Sequence, residues 1–318
     1  MVHAVTVKFI FRNGGVEKFI RAIVFFLYDK IKRKTTDFKK TRIILGKYEI
    51  QTLQNDKGIS TELQIYGIHE PLSTHLVLNE IKEKMVCIDL GSNIGYYAII
   101  ESNLVGKFGK IFAIEPSPKN FSLSKLNLER QKVQNFSVHN IAISDKNKEM
   151  EFVINTKSNL SQIKTENTKI NSGDKIIKIP VKTLDSFIDE SNIKKIDFIR
   201  MDVEGFEYNI LLSSKKVLEK FNPKLFIEIH YMYLGNEKTC EILKELQNLG
   251  YEIKYFIPRI FDTPIIGELS DIKTTTINEL INKLKNNQLP DAFQLILENK
   301  LKTNFAYPKK LERLEPYF

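Results

Sequence analysis

Hydrophobic and polar positions along this chain switch between two periods. Short apolar runs rich in Ile, Val and Phe occupy 85–90, 110–115, 136–143, 196–202, 224–230 and 251–257, and each predicts a buried strand. Amphipathic stretches at 94–105, 117–130, 183–190, 207–220 and 237–249 predict helices between them. Strands alternating with helices imply an α/β domain: a mainly parallel sheet with helices on both faces.

The flanks read differently. Residues 1–40 predict a basic helical segment, and 41–70 a short β region with strands at 41–45, 48–50 and 62–66. Gly46 and the run Asn55-Asp56-Lys57-Gly58 supply its turns. A helix over 73–81 leads into the first core strand. Strands at 148–154 and 178–184 bracket a polar segment, 155–176, which is either a lid beside a site or a surface excursion. Beyond 258 the pattern weakens, with helices expected at 277–286 and 292–301. The chain thus divides into a basic N-terminal extension (1–70), a core (71–258) and a C-terminal helical tail (259–318), whose last dozen residues carry no chemistry that can be named.

Charge changes this picture at one end only. The first fifty residues hold twelve Lys and Arg against four Asp and Glu, which is eight of the nine net positive charges. The remainder is close to neutral, so a nucleic-acid footprint over the whole surface is not expected. The apolar stretch 19–28 contains Arg21 and is shorter than the roughly 20 residues a bilayer span needs. With Lys30, Lys32, Arg33 and Lys34 after it, the stretch reads as an amphipathic helix. It packs on the core, touches a membrane surface reversibly through residues 14–40, or serves as a nucleic-acid arm. Cys87 and Cys240 lie far apart and fit reduced, packed thiols in a cytoplasmic protein. No signal-peptide pattern opens the chain.

Chemistry concentrates where apolar runs end. The first run closes on Asp89-Leu90-Gly91-Ser92-Asn93-Ile94-Gly95. Its two glycines do not make a Gly-x-Gly-x-x-Gly fingerprint, and no Gly-Lys-Ser/Thr follows, so a pyrophosphate cradle is not indicated. A turn that starts with a carboxylate suits a cationic ligand. S-adenosylmethionine, with its sulfonium and amino group, has that character. Asp89 is expected to accept from the α-ammonium group, and Gly91 to let the backbone approach the ligand. Glu115 ends the second run where ribose hydroxyls are usually bound, with Asn120 near enough to contribute. The fourth run ends in Asp202-Val203-Glu204-Gly205-Phe206-Glu207. Asp202 and Glu204 share a face if the strand extends that far. Glu228 and His230 close the fifth run in the same way. Paired acids beside a histidine suit a general base, a hydroxyl clamp or half of a metal site, with Asp202 and Glu228 the candidate ligands for a divalent ion. His3, His69, His75 and His139 form no spaced pair, and there is no zinc signature.

Taken in order, the segments 86–97, 113–121, 142–145, 182–185, 196–207 and 225–230 resemble the FkbM-type family of S-adenosylmethionine-dependent methyltransferases. The resemblance spans about residues 70–255. It departs from the family pattern at Ser92, where alanine is frequent, and at Arg200, where lysine is common. It implies a Rossmann-like methyltransferase fold and O-methylation of a hydroxyl on a sugar, glycan or natural product. Methylation of RNA or protein, using the basic arm, is the alternative activity. A non-catalytic glycan-assembly module that keeps the fold is the alternative class.

Overall fold

The computed structural model describes residues 4–36, 39–132, 134–166 and 168–300. The end of the chain from 301, and His3, lie outside the described residues. In chain order the elements begin with a long helix α1 (Ala4–Thr35), kinked at Gly15, a hairpin β1 (Thr41–Ile44) and β2 (Tyr48–Gln51), and helices α2 (Ile59–Tyr66) and α3 (Pro71–Glu80). The core follows as β3 (Val86–Leu90), α4 (Tyr96–Val105), β4 (Lys110–Ile114), α5 (Pro118–Glu129) and β5 (Phe136–His139). Then come β6 (Ala142–Ile143), β7 (Lys148–Ile154), β8 (Gln162–Ile163), β9 (Lys175–Lys182) and α6 (Leu184–Glu190). The chain continues through β10 (Phe198–Met201), α7 (Glu207–Ser213), α8 (Lys215–Phe221), β11 (Lys224–Ile229), α9 (Tyr231–Asn248), β12 (Tyr251–Pro258), α10 (Ile277–Lys285) and β13 (Phe293–Asn299).

Seven strands form the central sheet in the order β12-β13-β11-β10-β3-β4-β5. All run parallel except β13, which is antiparallel to both its neighbours. The chain leaves β3 toward β4 and β5, then returns to lay β10 and β11 on the other side of β3. The switch point therefore lies between the carboxyl ends of β3 and β10, where an open α/β sheet forms its binding crevice. Apolar clusters cover both sheet faces, one built around Ile199, Ile227 and Phe187, the other around Tyr96, Ile99 and Leu76. The sheet is mainly parallel with helices on both faces, as the periodicity predicts, and Rossmann-like, as the resemblance implies. A second, four-stranded sheet, β6-β9-β7-β8, arches beside it.

Four expectations are corrected. The segment expected as a strand at 62–66 is the helix α2. Asp56 accepts from the amides of Gly58 and Ser60 and so starts the helix, and Gly67 at φ 71° ends it. The alternation of Leu63 and Ile65 fits either period, and the capping decides. The helix expected at 292–301 is instead β13, whose Phe293, Leu295, Ile296 and Leu297 are buried between β11 and β12. Burial on both faces gives a continuous apolar run that periodicity cannot separate from a buried helix. The run at 136–143 divides at Asn140, whose side-chain amide donates to the carbonyls of Glu115 and Pro116 and turns the chain from one sheet into the other. The helix at 207–220 breaks at Ser214 into α7 and α8.

Candidate active site

The turn after β3 is built by backbone geometry. Gly91 (φ 85°) and Ser92 both donate to the Ile114 carbonyl at 3.0 Å, which ties the turn to the end of β4. A Cβ on Gly91 would lie 1.9 Å from the Asp202 carbonyl oxygen, so the ends of β3 and β10 meet only because residue 91 is glycine. Glu115 completes the turn from the other side. Its Oε2 accepts from the Asn93 amide and its Oε1 from the Ser117 amide, each at 2.8 Å. Burial pushes its carboxyl up while those amides and Asn120 pull it back, leaving it at about 7.

A cavity of about 820 Å³, its open mouth included, sits on this switch point. Gly91, Asn93, Glu115, Asp202 and Glu204 line it, together with Tyr96, Tyr97 and Arg200. Two walls come from the flanking segments. His69 and Ile59 approach from the N-terminal side, and Phe152, Ser158, Ser161, Gln162 and Ile163 from the insertion. The polar stretch expected at 155–176 thus contributes a short helical turn and β8, both against the cavity. Asp56 joins the two walls. Besides starting α2, it accepts from the Ser158 amide and hydroxyl, both at 2.9 Å.

Asp89 is placed differently from the expectation. It lies one residue before the strand end, fully buried, and does not line the cavity. Arg200 bonds Asp89 Oδ1 at 3.1 Å and Asp202 Oδ2 at 2.9 Å, and its guanidinium lies 4.1 Å from the centre of the Tyr97 ring. Asp89 therefore positions Arg200 in the cavity wall. Gly95 and Asn120 also lie behind the lining, Gly95 against Ser124 and Asn120 beside Glu115.

The acidic strand ends do converge, though not by sharing a strand face. β10 stops at Met201, and Glu204 takes a left-handed backbone (φ 51°) just before Gly205. That bend turns its carboxylate to within 3.4 Å of His230 Nε2, with Asp202 at 3.9 Å and Glu228 at 3.7 Å from the same nitrogen. His230 Nδ1 is held at 2.7 Å by the buried Glu207, the first residue of α7. Burial alone would depress the imidazole, but Glu204, Glu207 and Glu228 outweigh it and hold the imidazolium well above its ordinary range. Burial drives Glu204 up to about 8, with His230 opposing, and burial and Asp202 drive Glu228 up to about 7. Asp202, Glu204 and His230 are close enough to share one cation, as are Glu70, Asp202 and Glu228.

Sequence reasoning missed a second charged group on this side. His69 bonds Glu62 at 2.9 Å and lies 3.3 Å from Glu70. Those two carboxylates overcome the effect of burial and hold it at about 10. Arg259, at the end of β12, bridges Glu70 at 3.0 Å and Glu228 at 3.4 Å, linking this group to the acids around His230. Its local signal is Glu70 before Pro71: the left-handed Glu70 (φ 45°) turns a carboxylate inward as α3 begins.

A crevice at this switch point, floored by a glycine turn and an acid just after the next strand, is where a Rossmann-like α/β sheet binds its ligand. The chain belongs to the FkbM methyltransferase family: the FkbM methyltransferase domain model matches residues 89–253, just over half of it. The chain is 27% identical over 155 residues to the hexuronic acid methyltransferase AglP of Haloferax volcanii, covering 49% of this chain and 60% of that protein. A protein-L-isoaspartate O-methyltransferase of Methanococcoides burtonii is 36% identical over 61 residues, 19% of this chain and 30% of that one. The chain spans less than two thirds of the length of either relative. Among solved structures it resembles the methyltransferase FkbM of Methylobacillus flagellatus, with 16% identity and a TM-score of 0.38, over 68% of this chain and 44% of that one. An S-adenosylmethionine-dependent methyltransferase of Aquifex aeolicus gives 15% identity and a TM-score of 0.36, over 73% and 90%.

Proposed function

We propose that the protein transfers the methyl group of S-adenosylmethionine to a hydroxyl oxygen of a sugar or glycan. One observation carries this reading: a single cavity has the Glu115 turn at one side and the Asp202–Glu204 carboxylates at the other. Gly91, Asn93 and Glu115 form the cofactor end, supported from behind by Asp89, Gly95 and Asn120. Each Glu115 oxygen already takes one backbone amide and keeps a lone pair for a ribose hydroxyl.

When bound, the cofactor supplies a methyl carbon on a sulfonium sulfur, which leaves with the bonding pair as the acceptor oxygen attacks. The protein aligns that oxygen and takes its proton. Asp202 and Glu204 line the cavity and are placed for this task. Glu228 and His230 stand behind them, the imidazolium balancing their charge. With Glu207 fixing Nδ1, His230 Nε2, once a cation displaces its proton, and the Asp202 and Glu204 carboxylates also form a donor set suited to a divalent ion. The likeness to a hexuronic acid methyltransferase favours a glycan acceptor, and the basic residues of α1 do not line the cavity, which argues against RNA.

Calorimetry with S-adenosylmethionine and with NAD tests the cofactor, and tighter NAD binding would overturn the reading. Transfer of radiolabelled methyl to uronic-acid glycans, RNA and proteins tests the acceptor, with label expected in the glycan. Label only in RNA or protein refutes that part.

A further inference from the structure

The helix α1 is apolar on two opposite sides. One side is packed: Ile10, Ala22 and Phe25 are buried with Phe261 and Ile266, and Phe25 stacks on Tyr66 with ring centres 6.0 Å apart. Lys18 pairs with Asp271 and Arg21 with Glu268, and Arg21 Nε donates to the Ile265 carbonyl at 2.8 Å, fixing the helix on the segment after β12. The other side faces solvent. Val16, Ile20, Ile23, Val24, Leu27 and Ile31 are all exposed there, Leu27 at 58% and Ile31 at 61%. Their spacing follows the helical repeat, so they form one continuous stripe about 180° from Ala22 and Phe25. A contiguous apolar surface of this kind marks an interaction site.

Charge identifies the occupant. Lys30 and Lys34, three and seven residues beyond Leu27, are exposed at the carboxyl end of the stripe, and Lys39, Lys40, Arg42 and Lys47 are exposed just after it. Glu17 is the exposed acid of the helix, while Asp29 faces inward, bonded to Arg33 and Tyr66. A second copy docked in parallel on this stripe would set one cluster of cations against another. No described helix is long and apolar enough to cross a membrane. An apolar stripe ending in a basic cluster matches the plane of an anionic bilayer, with side chains in the acyl boundary and lysines at the headgroups.

We propose that α1 is a two-sided adaptor: its Phe25 side clamps the helix to the body of the protein, and its Leu27–Ile31 side binds an anionic lipid surface. α1 packs against α2, which carries the His69 partner Glu62, and against Phe261, two residues past Arg259. The proposal does not depend on which acceptor is methylated.

The test is co-sedimentation of the full chain with phosphatidylglycerol vesicles and with phosphatidylcholine vesicles. Binding is expected to the former, to weaken as salt rises, and to be poor on the latter. Replacing both Leu27→Glu and Ile31→Glu should cut the partition coefficient at least about tenfold, because two exposed apolar anchors are lost. The thermal melt and S-adenosylmethionine affinity should not change, since both side chains lie outside the packed face. Equal binding of the wild type to neutral and anionic vesicles, or vesicle binding unchanged by the double substitution, overturns the proposal. So does a dimer in sedimentation velocity that the double substitution dissociates while no vesicle binding is seen.

Discussion

Gly91 and Asp202, each just past the end of one of two adjacent strands, approach so closely that a methyl group on residue 91 would lie 1.9 Å from the Asp202 carbonyl oxygen. That contact joins the turn after β3 to the acidic end of β10, so one backbone position sets the spacing between the two halves of the cavity.

Gly91→Ala is therefore expected to be severe. It combines a left-handed backbone with a backbone collision that no rotamer relieves, and should cost roughly 2–5 kcal/mol in urea unfolding with loss of S-adenosylmethionine binding. Gly106→Ala is the control. Its φ is 65° and ψ −174°, but nothing lies within 4 Å of the added carbon, so only the conformational penalty of about 1–3 kcal/mol applies. Equal costs at the two positions would show that close approach is not what residue 91 provides.

Glu115 should make stability depend on pH. Its folded carboxyl titrates at about 7, above the ordinary glutamate value near 4.5. The folded state then holds a proton that the unfolded chain releases between those values, so stability is greatest below about 4.5 and falls as pH rises through 7. The full effect is on the order of 3 kcal/mol. Glu115→Gln cannot titrate, so the difference between its melting temperature and that of the wild type should shift in favour of the variant from pH 5 to pH 8. A constant difference would contradict the assignment of burial as the dominant influence.

The part of the site legible in the sequence is the part built by local rules. The turn at Asp89–Gly95, the acid at Glu115 and the acids after Met201 all follow the carboxyl ends of parallel strands, and periodicity alone locates those ends. What stayed hidden depends on distant partners. Asp56 meets Ser158 across about a hundred residues, and Arg259 reaches back to Glu70; no local pattern announces either. β13 was misjudged because a strand buried on both faces loses the alternation that identifies strands. Asp89 was misplaced because the sequence shows a strand ending near it but not which way its side chain turns, and Arg200, on the neighbouring strand, claims it.

Asp56 offers a test of the cavity roof. Its carboxylate takes two amides from the start of α2 and the amide and hydroxyl of Ser158. Asp56→Ala leaves these donors without an acceptor, at a cost of about 1–3 kcal/mol. Limited proteolysis should then cut within 155–176 faster, and S-adenosylmethionine should dissociate faster. A cleavage rate equal to that of the wild type would mean that the roof is held by its apolar contacts, Phe152 and Ile163, and not by Asp56.

The acceptor end is tested at Asp202. Its carboxylate lines the cavity, bonds Arg200 on one oxygen, and turns the other toward His230. Asp202→Asn keeps the shape and removes the charge. If this carboxylate takes the acceptor proton or holds a cation, kcat should fall about 10²–10⁴-fold with little change in the calorimetric affinity for S-adenosylmethionine. Glu204→Gln should show the same split, because its carboxylate faces the same space. Chelator separates the two roles: activity lost and restored by Mg²⁺ assigns a metal to Asp202, Glu204 and His230, whereas indifference assigns direct proton transfer. Arg200 provides the internal check. Arg200→Lys should weaken the pairing with Asp89 and lower stability, since a lysine cannot reproduce the forked contact to two carboxylates. If Asp202→Asn reproduces that stability loss and leaves turnover intact, Asp202 serves to hold Arg200, and the proton acceptor must be sought at Glu204.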